Sequence, residues 1–493
     1  MASLRIRLSA MMFLQYAIWG AWAPILGLHL LSLEDFASSM TWVSYVYMTM
    51  PLASFIAPFI GGQIADRWFA SQRFLGISQI LGGVMLFVVA RLQGHVEIFV
   101  AMFVYTLIYA PTIALTNSIV FRHWPNEQFS RIRMWGSIGW IVIAWVFAVW
   151  LGLADDLIQY FSPAWRDGLV AWRQSLTHKP AMVDCLYIAG GLSLLYGILC
   201  FGLPDTPPSK NPGRPWAFLD ALMLMRNRAF AVMTVVAFLV GIELQFYFVW
   251  TQSLLNQGGG PFDAKQIDDA LAKAGSGASD VFTAGFAAEL VASADKTGDA
   301  KLNRAELAAA AASNPAAKAF LDVQNRLTEE KGGLGLEQKW VSPVLAIGQI
   351  CEMAMMVLLP LILRAAGFRW TIGIGIGAWA LRDFILALGK PAGLVIASIS
   401  LHGVGFALFC TTIFIFADSI APKDIKASAQ SLLASVTFGL GMLVGSLVSG
   451  PVVNSLGGDW HRIYLVPAVL CTACCIAFLL GFRPRAEPGS QRQ

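Results

Sequence analysis

Residues 203–215 read LPDTPPSKNPGRP, with five prolines, Lys210 and Arg214 in a short polar stretch. Pro-rich segments of this kind are extended spacers rather than parts of a packed helix. Apolar runs of about 20 residues lie on both sides of it, and a run of that length is enough to cross a bilayer as a helix. There are six before and six after, at about 10–31, 42–64, 73–91, 96–119, 134–154, 183–203, 229–251, 341–363, 370–388, 394–417, 428–449 and 462–482. They are called spans 1 to 12 below. Pro343 and Gln349 interrupt span 8 and leave its start the least defined.

Composition agrees with the runs. The chain has 493 residues, 57% of them hydrophobic and 13% charged, against about 25% charged in ordinary soluble proteins. The expected fold is therefore an all-α membrane protein of twelve transmembrane helices in two six-helix bundles. The divisions are 1–204 for the first bundle, 205–227 for the linker, 228–256 for span 7, 257–338 for an insertion and 339–493 for spans 8–12. All seven cysteines sit in or beside apolar runs, which fits small packing residues rather than disulfides or metal ligands. The N-terminal MASLRIRLSAMMFLQYAIWGAW reads as a first span and not as a cleaved signal.

Positive charge orients the chain, because Lys and Arg collect in cytoplasmic loops. With the N-terminus inside, the cytoplasmic segments hold 18 Lys and Arg and the short outer loops hold 6. Both termini are expected in the cytoplasm of an inner membrane, with the 257–338 insertion outside. Two halves joined by an inner linker are the layout of many secondary transporters, whose site lies at the midplane between the halves. The loop GGQIADRW (61–68) adds Gly62, Asp66 and Arg67, similar to the Gly-x-x-x-Asp-Arg motif of the major facilitator superfamily.

Polar side chains inside a span are costly and mark candidate function. Span 1 has Gln15 and span 4 has Asn117. In span 5, Arg133, Ser137 and Trp140 share a helical face by their i, i+4, i+7 spacing. Arg133 also reads as a cation snorkelling from a helix end. Glu243 and Gln245 in span 7 are two apart, so only one readily faces a central cavity. Gln349 and Glu352 in span 8 share a face. A buried carboxyl such as Glu352 can exchange a proton near neutral pH, with an interhelical hydrogen bond as the alternative. Arg382 and Asp383 in span 9 read as a structural ion pair, and His402 and Phe406 in span 10 lie one turn apart. Gly373-x-x-x-Gly377 and Gly441-x-x-x-Gly445 read as helix-packing sites.

On FLQYAIWGAW (13–22), YAPTIALTNS (109–118), RIRMWGSIGW (131–140), GQICE (348–352), AWALR (378–382) and KASAQSLL (426–433), the chain resembles the nucleoside:proton symporter family of the major facilitator superfamily. The resemblance covers nearly all of the chain except 155–182 and 257–338. It implies a nucleoside site of Arg133, Ser137, Trp140, Gln245, Phe248, Gln349, Glu352, His402 and Phe406. Ser137 stands for a usual threonine, Trp140 for a phenylalanine, Phe248 for an asparagine, His402 for a tyrosine and Ala407 for an aspartate. With no carboxylate at Ala407, proton coupling is left to Glu352, Glu243 or His402. A carrier of sugars or other metabolites stays open at these departures, and so does a calcium-responsive sensor. The expected partners are a nucleoside or related small molecule, protons and lipid, with a monomer as the working unit and no nucleic acid. No GxxxxGK[ST] loop, HExxH or nucleophile elbow points to ATP-driven pumping or an enzyme.

The insertion carries ADKTGDAKLNRAEL (294–307). Asp295, Thr297, Asp299, Lys301 (by its carbonyl), Asn303 and Glu306 fall at ligand positions 1, 3, 5, 7, 9 and 12 of an EF-hand-like loop. Ala300 takes the place of the turn glycine. A helix is expected over 281–293 before the loop and an alanine-rich one after it, with no second hand of similar ligands. Ca2+ is the one candidate cofactor, and a decayed, solvated linker is the alternative.

Overall fold

A backbone amide in lipid has no water to bond, so a spanning segment must satisfy its own hydrogen bonds as a helix. Each of the twelve apolar runs is helical in the computed structural model. The structure describes residues 2–37, 39–67, 70–125, 128–153, 180–207, 222–273, 286–295, 301–422 and 425–483, with Gly168 and Ser175. Among these, nine helices are long and apolar enough to cross a membrane. Asp184–Cys200, on span 6, is a shorter apolar helix, and span 2 lies on Thr41–Arg67. The side chains of Gly62, Asp66 and Arg67 lie outside the described residues.

Spans 8 and 9 depart from the expected loop between them. They form one helical path, Gln338–Leu388, of 51 residues. Straight, it would run about 75 Å, far beyond a hydrocarbon core of about 30 Å. It is broken at Gly367, whose φ of 66° and ψ of 173° suit a residue without Cβ. Pro343 is accommodated within the second turn, so span 8 begins at Gln338. Spans 10 and 11 each contain a π-helical stretch, Phe406–Thr411 and Ser435–Gly441.

Glycines bring the helices together. Gly441 and Gly445 press on the backbone of span 7, at Phe238 and Ile242, as their spacing suggests. Gly373 meets the side chain of Leu479, and Gly377 is looser. One close crossing beside the candidate site was not singled out from sequence. A Cβ on Gly403 would lie 2.3 Å from both the Glu352 nitrogen and the Gly348 carbonyl oxygen. This contact fixes span 10 against the turn of span 8 that carries Gln349 and Glu352.

The halves meet at the end of the bundle that carries the insertion. Gln252 of span 7 donates to the Tyr47 hydroxyl of span 2 at 2.7 Å. Gly450 of span 11 lies against Thr41 and Ser44 of span 2. The described cysteines are all free, and five are buried.

The insertion has its own small core, including Phe262, Ile267, Leu290, Leu302, Leu307 and Phe320. Its helices are Ala264–Lys273, Phe286–Ala294, Arg304–Ala311 and Pro315–Lys331. The expected 281–293 helix is described from Phe286, and residues 281–285 lie outside the described set. The last helix was missed, although Asn314-Pro315 signals its start. Asn314 accepts from the nitrogens of Ala316 and Ala317, and proline tolerates the first turn. Leu334 and Leu336 donate to the carbonyls of Leu254 and Leu255 and tie the insertion to span 7. Lys390 pairs with Glu329 on the same half. Lys265 reaches the other half and pairs with Glu34 at 2.7 Å. Hydrogen bonding by Lys265, then its charge, holds the Glu34 carboxyl below the usual glutamate range.

Gly403→Val should destabilise the protein by about 1–3 kcal/mol or more, since the new side chain meets backbone that cannot turn aside. Thermal unfolding of the purified protein in detergent checks this, with Gly377→Ala expected to stay close to the unchanged protein.

Candidate functional site

Span 5 projects its polar face toward span 1. The Arg133 guanidinium lies over the Tyr16 ring, 4.0 Å from its centroid. A cation over an aromatic face is held by the ring quadrupole while its donors stay free for a ligand. Trp140, two turns on, packs edge-on against Trp19 at 5.5 Å and close over Gly20. Arg133, Ser137 and Trp140 all remain partly exposed. Gln349 and Glu352 on span 8 are partly exposed as well. Glu352 is within electrostatic reach of Arg133 across the interface between the halves. The structure therefore brings the cationic face of one half toward the acidic face of the other.

Rings of the second half border the same region. His402 stands edge-on to Phe248 at 5.5 Å and 6.0 Å from Phe406. Phe248 and Phe406 are partly exposed, while His402 is 1% exposed and rests against Gly348. Phe406 also approaches Phe438 of span 11. Gln245 is 1% exposed, lies against Gly445, and has an Oε1 with no hydrogen-bond partner. Of the nine residues expected around a substrate, seven are partly exposed, namely Arg133, Ser137, Trp140, Phe248, Gln349, Glu352 and Phe406, and Gln245 and His402 are covered.

Glu243 takes the other direction, as the two-residue offset from Gln245 requires. It is fully buried and bonds Arg382. The reading of Arg382 and Asp383 as a simple pair is too narrow. Arg382 also donates to Asp383 at 2.9 and 3.0 Å and to Nδ1 of His402 at 3.1 Å. Its guanidinium lies 4.1 Å from the centroid of the Tyr247 ring, which stacks on His402 at 4.2 Å. Sequence gave Glu243 and His402 as separate candidates, and folding joins them through one arginine.

Gln15 belongs to a different network. It donates to Thr112 at 2.9 Å and accepts from Gln79 and Thr116. Gln79 in turn accepts from Ser193 at 2.8 Å. These groups are buried and satisfy one another inside the first half. Asn117 retains a buried oxygen without a partner.

In the insertion, Asp295 follows Phe286–Ala294, while Thr297 and Asp299 lie outside the described residues. Lys301 is exposed. Asn303 and Glu306 cap Arg304–Ala311 reciprocally: Glu306 N donates to Asn303 at 2.8 Å, and Asn303 N donates to the Glu306 carboxylate at 3.0 Å. A counterpart to this loop was missed in the sequence. Leu302 and Phe262 exchange two backbone hydrogen bonds of 2.8 Å each. One residue after Phe262, Asp263 and Gln266 repeat the reciprocal cap, at 2.8 and 3.2 Å. Gly260, with φ of 73°, precedes Phe262 by two residues, the place Ala300 holds before Leu302.

Comparison with known proteins agrees with this layout. The chain is 27% identical to a putative nucleoside transporter, YegT, of Escherichia coli K12, over 97% of this chain and 93% of that one. It is 26% identical to a xanthosine permease of the same organism, over 99% and 97%. Its fold matches a crystal structure of the nucleoside transporter NupG with a TM-score of 0.68 at 22% identity, over 98% and 100% of the two chains. The family model described as nucleoside H+ symporter matches residues 2–162, 158–268 and 308–487. With two helical halves and most of its length covered by that match, the chain belongs to the nucleoside H+ symporter family.

Proposed function

We propose that the protein carries a nucleoside together with protons across the membrane, by exposing a site between its halves to either side in turn. The observation that carries this reading is that Arg133 and Glu352, on opposite halves, lie within range of each other's charge and are both partly exposed. Ribose hydroxyls suit the carboxylate and amide of Glu352 and Gln349, and a base suits the rings of Trp140, Phe248 and Phe406. Ser137 keeps a hydroxyl beside Arg133. Gln245 and His402 join the site once the covering side chains shift. The contacts at the insertion end, Gln252–Tyr47 and Gly450 on Thr41 and Ser44, fit a state closed on that side and open on the other. The excess of Lys and Arg in the loops puts the open side and both termini in the cytoplasm of an inner membrane. The working unit is a monomer, divided at 1–204, 205–227, 228–256, 257–338 and 339–493.

Phe248, His402 and Ala407 favour a second reading in which the cargo is a sugar or another metabolite. Uptake of labelled uridine, adenosine, xanthosine and simple sugars into proteoliposomes, with and without an inward proton gradient, separates the two. Gradient-driven uptake of at least one nucleoside is expected, and uptake of sugars alone overturns the nucleoside reading. Arg133→Gln and Glu352→Gln should each weaken nucleoside binding by about tenfold or more, the scale of a lost hydrogen bond to a charged group.

For the insertion we infer a pair of EF-hand-like halves in which 295–306 is the calcium loop and the Phe262 half is its non-binding mate. Asp263 and Gln266 repeat the cap, but Leu255, Gln257 and Gly259 stand where the other loop has Asp295, Thr297 and Asp299. The ligands would be Asp295, Thr297, Asp299, the Lys301 carbonyl, Asn303 and Glu306. Affinity should fall near the millimolar range of extracellular modules. Isothermal titration of the full protein with Ca2+ is expected to give heat that Asp295→Ala abolishes. Equal heat from the variant assigns binding elsewhere.

A further inference from the structure

We propose that Glu243 and Asp383 share one proton deep in the second half, and that this carboxyl pair is the site of the coupling proton. The proposal rests on the proton-symport reading above and narrows its candidates. Charge counting comes first. Arg382 supplies one positive charge, and Glu243 and Asp383 supply two negative charges when both are ionised. All three side chains are 0–1% exposed. A net negative charge sealed from water is strongly disfavoured. One added proton makes the cluster neutral.

Hydrogen bonding gives a second, independent argument. Arg382 satisfies one oxygen of each carboxyl, Oε1 of Glu243 and Oδ1 of Asp383. The other oxygens, Glu243 Oε2 and Asp383 Oδ2, are buried and have no partner. Carboxyl oxygens of the two residues lie within 4.8 Å of each other. Each carboxyl thus keeps one buried oxygen that no donor serves, and a proton on either of them turns an acceptor that lacks a partner into a donor.

Among the described residues, the surroundings offer no other source of charge. Tyr247 stands on the same helix as Glu243. Span 10 contributes His402 and Cys410, and span 12 contributes Tyr464, Cys471 and Cys474. None of these is a fixed cation. The Cys471 sulfur also lies within 4.8 Å of the two carboxyls. A thiol and two carboxyl oxygens beside a guanidinium make a poor set for a hard metal ion, which takes a shell of oxygen ligands. His402 is the wrong carrier. A guanidinium only donates, so Nδ1 of His402 accepts from Arg382 and Nε2 holds the ring's hydrogen. A second proton would set an imidazolium against the arginine. His402 instead links the cluster to Phe248 and Phe406. When the proton leaves for water, the freed carboxylate competes for the arginine donors, and the His402 ring is the group on their far side.

Infrared spectroscopy of the purified protein at neutral pH tests the shared proton without any transport assay. The C=O stretch of a buried protonated carboxyl is expected, shifted in D2O and lost in both Glu243→Gln and Asp383→Asn. Each variant leaves one carboxylate with Arg382 and so keeps the cluster neutral. Thermal unfolding confirms that each is folded, and the double variant, which strands the arginine, is expected to be the least stable. Absence of the band in the unchanged protein, or its survival in both single variants, overturns the proposal. In proteoliposomes, accumulation driven by a pH gradient should fall to the equilibrium level in both variants. Accumulation equal to the unchanged protein's in either variant also overturns it. A band that behaves as expected in a protein that accumulates no nucleoside upholds the shared proton and overturns the nucleoside reading instead.

Discussion

A hydrocarbon interior offers no hydrogen-bond partner, and every feature of this protein answers to that constraint. It forces the apolar runs into helices, because only a helix bonds its own backbone. It then sorts the few polar side chains. Gln15, Gln79, Thr112, Thr116 and Ser193 are closed into a network that satisfies itself within the first half. Arg133, Gln349 and Glu352 are left partly exposed. Glu243, Arg382 and Asp383 are neither closed nor exposed, and two of their oxygens remain without partners.

Close helix packing turns this sorting into geometry. Gly403 brings span 10 onto the backbone of span 8 at Gly348 and Glu352. The same crossing seats His402 against Gly348. Residues of the interface and residues of the buried cluster are thus held by one contact. Arg382 of the cluster bonds His402, and His402 in turn meets the rings of Phe248 and Phe406. Such coupling follows from interiors that are packed like solids and shift between discrete arrangements.

The insertion stands on the half that contains spans 7 to 12. Backbone bonds to Leu254 and Leu255 and the Lys390–Glu329 pair hold it there. Its contact with the other half, Lys265 with Glu34, is an exposed ion pair, a weak kind of bond that salt screens. Within the insertion, Phe262 and Leu302 are joined by a bridge of two backbone hydrogen bonds.

The sequence determined the membrane class and the helical runs. Those are local properties: hydropathy, periodicity and spacing are written along the chain. It also placed Glu243 and Gln245 on different faces, since residues two apart on a helix must diverge. It did not join Glu243 to Arg382, Asp383 and His402, because the three segments are distant in sequence and only helix packing sets their partners. It did not distinguish Gly403 from the other glycines or find Phe262 opposite Leu302 for the same reason. Which polar atoms would be left unpaired was decided by tertiary structure alone, since a hydrogen bond depends on what lies across from a side chain and not on its neighbours in the chain.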